Sequence, residues 1–341
     1  MNNELEQQLR RIVNAVHFRT ADDFSFAGRS ADAWSGGYPP QAVYPQQSGG
    51  PHPAVQALQN ILYGQCYSRP FSGAIHDDNP ASMTRDDAWL DGLSEANASR
   101  DRWDEGWRVQ QFLPNGQVYA QKGAASRAFW PGEFLTRGSH GMQPQPGTPI
   151  SAFLARESRN IQPGFYFVFG ETPGDQQDDY STVRYYWNAR HESARPLVRR
   201  LIQKLNRYQT PFKFKVVSYP GMIGRSDSAI LYVGRRYYRI AAEIARETHA
   251  ELGPLLGEAT PLFSRRLARG LSFAEDPGSQ ESFGMSRCRM LAEGLHDAHL
   301  RGLTSPQDRL ARVAARFEAA GASLERPHLN LGSIDPYEFP Q

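Results

Sequence analysis

Residues 211–217 read Pro211-Phe-Lys-Phe-Lys-Val-Val217, a β-forming run that puts two lysines where a buried strand would carry apolar side chains. Side chains alternate faces along a strand, so Lys213 and Lys215 point one way while Phe212, Phe214 and Val216 point the other. Two ammonium groups on one sheet face repel, which disfavours the charged form of at least one and offers an uncharged amine as a base. The same pattern also suits an edge strand that lysine guards against aggregation.

The flanking sequence embeds this run in a mixed α/β pattern. Leu197, Val198, Leu201, Ile202 and Leu205 fall at helical spacing, with Ser193 as the expected cap and Pro196 in the expected first turn. On the other side, Ala229-Ile-Leu-Tyr-Val233 predicts a strand closed by Gly234, and Ile240, Ala241, Ile244 and Ala245 carry a helix to about Leu252. Upstream, Gly164-Phe-Tyr-Phe-Val-Phe169 and Ser181-Thr-Val-Arg-Tyr-Tyr-Trp187 predict two strands. Downstream, Phe263 and residues 271–274 predict two short strands, residues 285–300 a helix, and Ser305-Pro306 opens the last helix.

The first 150 residues look mainly helical. Leu5, Leu9, Ile12, Val13 and Val16 make an amphipathic stripe, which is not a secretory signal. Such an ordered start also argues against delivery by a secretion machine. Val55, Leu58, Ile61 and Leu62 give a second helix and residues 86–102 a third, separated by loops expected at 36–53 and 68–84. The exception is residues 107–121, where Pro114-Asn115-Gly116 between two β-forming runs signals a hairpin. A loose stretch at 138–149 marks the boundary. The expected architecture is therefore α+β, with a mainly helical region at 1–150 and a mixed α/β catalytic domain at 151–341.

With 341 residues, 40% of them hydrophobic, the chain can bury a substantial core. A formal charge of +2 is too small to argue for nucleic acid. Cys66 and Cys288 lack metal-ligand or disulfide-framework spacing, the histidines are scattered, and the Gly-rich stretches match neither a P-loop nor a dinucleotide fingerprint. Neither metal nor cofactor is expected. No apolar run approaches the roughly 20 residues of a membrane span, so a cytoplasmic, membrane-free protein is expected.

Arg184, Tyr186 and Asn188 share one face of their strand, which pairs a guanidinium with a phenol that could donate a proton. Arg225, in the turn Gly224-Arg-Ser-Asp-Ser228, could meet a phosphate or simply pair with Asp227. Arg287 and Arg289 open a helix, where they could converge on an anion with the helix N-terminus or face solvent.

Residues 165–295 carry Val183-Arg-Tyr-Tyr-Trp-Asn188, Leu205-Asn-Arg-Tyr-Gln-Thr-Pro-Phe-Lys-Phe-Lys215, Leu231-Tyr-Val-Gly-Arg-Arg-Tyr237, Thr260-Pro-Leu-Phe263 and Glu281-Ser-Phe-Gly-Met-Ser-Arg-Cys288. As a set these resemble the HopA-type effector family, known as plant-pathogen effectors and as lyase components of class V lanthipeptide and thioviridamide-like peptide biosynthesis. The resemblance implies removal of phosphate from phosphoserine or phosphothreonine in a precursor peptide phosphorylated by a kinase-like partner, leaving dehydroalanine or dehydrobutyrine. More distantly the pattern is similar to phosphothreonine lyases. That comparison implies Lys215 as base, Lys213 as its companion, and Arg225 and Arg287 as phosphate-binding arginines, to which the strand face of Arg184 adds a third candidate for the phosphate. Where those lyases keep Lys-Phe-His for the proton donor, this chain has Arg184-Tyr-Tyr186, so either Tyr186 or Lys213 would serve as acid. Residues 1–150 are expected to help bind the peptide or kinase. The alternative is an effector-like or adaptor module that binds a phosphorylated partner without catalysis.

Overall fold

The computed structural model describes residues 3–34, 50–76, 84–136, 143–278 and 281–340. Most of the loop expected at 36–53 and part of those at 68–84 and 138–149 lie outside the described residues.

The chain opens with helix α1 (Asn3–Ala15), whose Leu9, Ile12 and Val13 are buried as their spacing requires. A small antiparallel sheet follows: β1 (Val16–Phe18), β2 (Phe24–Phe26) and β3 (Arg29–Ser30). Helix α2 (Pro53–Leu62) starts on a proline, and the His52 ring accepts the Ala54 N–H. It runs straight into a π-helical turn, Tyr63–Tyr67. Helix α3 (Asp87–Ala96) is capped by the Asp86 carboxylate, which accepts the Trp89 N–H.

Residues 102–154 form a five-stranded antiparallel sheet: β4 (Arg102–Phe112), β5 (Val118–Lys122), β6 (Ala125–Phe129), β7 (Phe134–Thr136) and β8 (Pro149–Leu154), in the order β6-β5-β4-β8-β7. The expected hairpin at 107–121 is β4 and β5 of this sheet, with Gly116 at the turn in the left-handed region its signal required. The remaining strands there are short and half exposed, and their weak apolar alternation concealed them from the sequence.

The large sheet collects seven strands in the order β14-β15-β11-β13-β12-β10-β9, with every neighbouring pair antiparallel. In chain order these are β9 (Glu157–Ser158), β10 (Phe165–Phe169), β11 (Thr182–Trp187), β12 (Phe212–Val217), β13 (Ala229–Gly234), β14 (Arg265–Ala268) and β15 (Leu271–Glu275). Five helices are interspersed with or follow them: α4 (Gln176–Tyr180), α5 (His191–Arg207), α6 (Tyr238–Leu252), α7 (Phe283–Leu300) and α8 (Pro306–Ala319). The fold is α+β.

Strand β12 lies between β13 and β10. The edge-strand reading of its lysines therefore fails, because both of its hydrogen-bonding sides are occupied.

Helix α5 begins earlier than expected. Arg190 occupies the cap position, and Ser193, third in the helix, accepts the Arg190 N–H at 2.7 Å. Pro196 consequently sits in the second turn, where a proline costs about 3 kcal/mol. Leu197, Val198, Leu201, Ile202 and Leu205 are all fully buried. At roughly 1.5–3 kcal/mol each they outweigh that penalty. Phe263 is not in a strand either. Its backbone is left-handed at φ +72°, which costs about 1–2 kcal/mol, while its ring is buried against Phe317.

The sheet is covered on both faces. Phe214, Val216, Tyr185, Trp187 and Leu231 face a core built with α3, α5 and α6. Trp89 of α3 ties this layer down, its indole N–H donating to the Val217 carbonyl. On the opposite face Tyr186, Ile230 and Ala274 meet a core shared with α1, α2, α7 and α8. A third, smaller core lies within the β4–β8 sheet, around Trp107 and Phe129. Among the described residues no helix is long and apolar enough to cross a membrane.

Candidate active site

Strand register places the candidate residues as a grid on one face of the large sheet. Arg184 on β11, Tyr232 on β13 and Lys213 on β12 pair directly across three strands, and one step along Tyr186, Ile230 and Lys215 do the same. Adjacent strands lie about 4.8 Å apart, so the outer members of each row are separated by about 10 Å. The β11-β13-β12 order, invisible in the sequence, leaves a single strand between the Arg-Tyr-Tyr strand and the Lys-Phe-Lys strand.

Lys215 is buried, whereas Lys213 is exposed. The Lys215 ammonium donates to Gln162 Oε1 at 3.0 Å and lies 4.2 Å from the Phe165 ring centroid, 5.9 Å from Phe167 and 5.8 Å from Tyr232. Its partners are thus a neutral amide and aromatic faces. Such a cradle fixes the amine without tying it to a carboxylate.

Arg184 is buried and donates from Nε and Nη2 to Asp276 at 2.6 and 2.5 Å, with its guanidinium over Tyr232. Burial works against its charge. Tyr232, Tyr186 and Asp276 more than offset this, so its pKa rises well above the usual value. Tyr232 therefore stands between the guanidinium of Arg184 and the amine of Lys215.

The Tyr186 hydroxyl is buried with no hydrogen-bond partner of good geometry among the described residues. Burial raises its pKa to about 12, partly offset by Arg184. It keeps its proton at neutral pH and could donate it.

Arg225 and Asp227 form a bidentate pair, Nε to Oδ1 at 2.9 Å and Nη2 to Oδ2 at 3.0 Å, both side chains being buried. Of the two readings open for Arg225 in the sequence, the structure shows the pairing with Asp227. A residue that the sequence did not single out joins them. The Tyr63 hydroxyl donates to Asp227 at 3.2 Å and accepts from Arg225 Nη2 at 3.3 Å. Burial opposes the Asp227 charge, yet Arg225, Lys215 and Tyr63 together hold its pKa below the ordinary value. Lys215 and the Arg225–Asp227 pair thus share one electrostatic neighbourhood.

Arg287 stands apart in its contacts. Its Nε and Nη2 donate to the carbonyls of Pro327 at 2.8 Å and Leu329 at 2.7 Å. Burial lowers its pKa to about 10. Its fork clamps the segment after α8. Arg289, the other arginine expected to open an anion site, is paired with Glu281 and Glu293. Asn188 bonds the Ala259 carbonyl.

The turn Tyr63–Tyr67 was missed because nothing in Tyr-Gly-Gln-Cys-Tyr distinguishes it from a helix end. A π-helical turn in such a place is a recurring mark of functional sites. Tyr63 and Tyr67 stack at 5.1 Å, and Tyr67 and Tyr186 both flank the Phe283 ring, at 6.3 and 6.2 Å. Two surface hollows of about 550 and 450 Å³ lie elsewhere, one beside Arg10 and Leu324, the other between α3 and α5. Among the described residues no three His, Cys, Asp or Glu side chains cluster as metal ligands.

Solved structures resemble the chain, two effector proteins among them. The effector protein from Pseudomonas syringae pv. tomato strain DC3000 is 16% identical, with 83% of this chain and 92% of that chain covered and a TM-score of 0.46. The effector protein from Pseudomonas syringae pv. syringae strain 61 is 17% identical, with 82% and 96% covered and a TM-score of 0.42. No curated protein matches the chain. The model of the HopA1 effector protein family matches residues 156–329, which contain the whole lysine and arginine grid and just over half of the sequence. The chain belongs to the HopA1 effector protein family.

Proposed function

We propose that the protein is a lyase that eliminates phosphate from phosphoserine or phosphothreonine in a kinase-phosphorylated precursor peptide. The observation that carries this reading is the buried Lys215, held on an interior strand by Gln162 and Phe165 and flanked by Arg184 and the Arg225–Asp227 pair. A lysine set inside a sheet beside two guanidinium groups has no evident use in packing. It has one in elimination.

In the proposed step Lys215, uncharged, takes the α-proton. The α-carbon electron pair forms the Cα–Cβ double bond as the Cβ–O bond breaks, and phosphate leaves with that bonding pair. Arg184 and Arg225 would neutralise the departing phosphate. Tyr186, which holds its proton at neutral pH, would protonate it. Lys213, more exposed and one row along, is the other candidate donor. Arg287 would act indirectly by holding the segment after α8. This chemistry calls for no metal or organic cofactor. Peptide or kinase binding by residues 1–150 is part of the proposal, supported by exposed Trp103, Trp130 and Leu135 around the β4–β8 sheet.

Incubation with a phosphoserine peptide and mass analysis of the product tests the reading. Loss of phosphoric acid with formation of a thiol-reactive alkene is expected. Unchanged mass with saturable binding would establish the adaptor reading instead, and recovery of the alcohol would mean hydrolysis. The adaptor reading draws support from the fact that Arg184 and Arg225 already hold carboxylates and Arg287 two carbonyls.

A further inference from the structure

We propose that Tyr63, on the π-helical turn after α2 and outside the matched family region, is a positioning residue that holds the Arg225–Asp227 pair for phosphate. The inference rests on the phosphate-handling reading of the site.

The geometry is specific. The Tyr63 hydroxyl bonds both members of the pair, donating to Asp227 and accepting from Arg225, and its ring lies beneath the same guanidinium at 5.6 Å. A guanidinium gripped at its edge and supported on its face has little rotational freedom left. The turn is itself fixed to the loop that carries the pair. Ser226 N–H donates to the Ser68 carbonyl at 2.7 Å, and Ser226 Oγ to the Tyr67 carbonyl at 3.3 Å. On its far side Tyr67 packs over Gly284, where an added Cβ would fall 2.4 Å from the tyrosine ring. Tyr63 is half-buried, whereas Arg225 and Asp227 are buried. Residues 63–68 therefore build one wall of the arrangement on which Lys215 and Tyr186 lie.

The test uses the full chain and a phosphoserine peptide, with binding read by calorimetry and elimination by mass. Tyr63→Phe keeps the ring and its stacking and removes only the hydroxyl. Roughly tenfold weaker phosphopeptide binding is expected, the scale of one hydrogen bond to a charged partner, with a matching rise in KM and little change in kcat. In an Arg225→Lys background, which keeps charge but not the fork, Tyr63→Phe should weaken binding no further. Unchanged binding in Tyr63→Phe, or an equal loss in both backgrounds, overturns the inference, even if the variant melts earlier. A wild-type chain that binds but does not eliminate sinks the lyase reading alone, and the binding ratios still decide the role of Tyr63. A wild-type chain that does not bind the phosphopeptide sinks both.

Discussion

The Lys215 ammonium rests 4.2 Å from the centre of the Phe165 ring, although Phe165 is paired in register with Val217 and not with Lys215. The contact is diagonal across β12 and β10, at the reach of a long side chain over an aromatic neighbour. It turns the amine along the sheet toward Gln162 and away from bulk water.

Lys215→Met should abolish measurable elimination, a loss of about 10²–10⁴-fold for removal of a general base. The methionine stem can keep the packing over Phe165, so the unfolding midpoint should hold. Mass analysis of a phosphopeptide and urea denaturation, run on the same preparation, separate the two effects. Loss of fold together with activity would deprive Lys215 of a chemical role.

Tyr186→Phe should lower elimination by about 10²-fold if Tyr186 is the acid, and stability should stay nearly level because the buried hydroxyl makes no hydrogen bond of good geometry among the described residues. Lys213→Ala, at an exposed position, should leave the rate nearly unchanged. The reverse pattern would assign the proton to Lys213.

Asp227→Asn leaves the Arg225 charge buried without its carboxylate, which should cost about 3–5 kcal/mol at pH 7. The folded pKa of Asp227 is depressed, so its stabilisation is complete above the unfolded value of about 3.9 and is lost as pH falls through the folded value. The gap between wild type and variant should therefore be flat from pH 8 to 5 and close below pH 4. Urea midpoints across that range check the sign. A gap that widens on acidification would contradict it.

Gly284→Ala should destabilise by about 1–3 kcal/mol, because the new methyl meets the buried Tyr67 ring and forces the π-helical turn outward. Phosphopeptide binding should fall with it, through displacement of Tyr63. The glycine stands at the second position of α7, where backbone freedom is not needed, so close approach is its physical reason.

Arg287→Ala should release the segment that follows α8. The carbonyls of Pro327 and Leu329 lose their donors, while contacts farther along, among them Tyr337 to Glu275 at 2.5 Å and Tyr238 to the Pro336 carbonyl at 2.8 Å, still hold the tail. Faster limited proteolysis after residue 325 with modestly changed phosphate affinity is expected. A large loss of affinity with an intact tail would make Arg287 a direct phosphate ligand.

Much of the architecture was legible because burial imposes periodicity. The stripe Leu9, Ile12 and Val13, the run Phe165 to Phe169 and the Ser305-Pro306 start all follow from local patterns that each element must satisfy alone. Where the reading slipped, competing local signals were nearly balanced. Ser193 is as good at the third helical position as at the cap, and Phe263 exchanges extended backbone for a place against Phe317.

The sequence by itself determined that Lys213 and Lys215 share a face, as do Arg184 and Tyr186, since alternation along a strand is a property of the backbone. Only the tertiary structure decided that these faces coincide, that β12 is interior, that Lys215 is buried while Lys213 is not, and that Tyr63 arrives from 162 residues away to bond Arg225. Strand order, and the docking of a distant turn, arise from how whole layers cover one another's apolar surface, and no local pattern encodes that pairing.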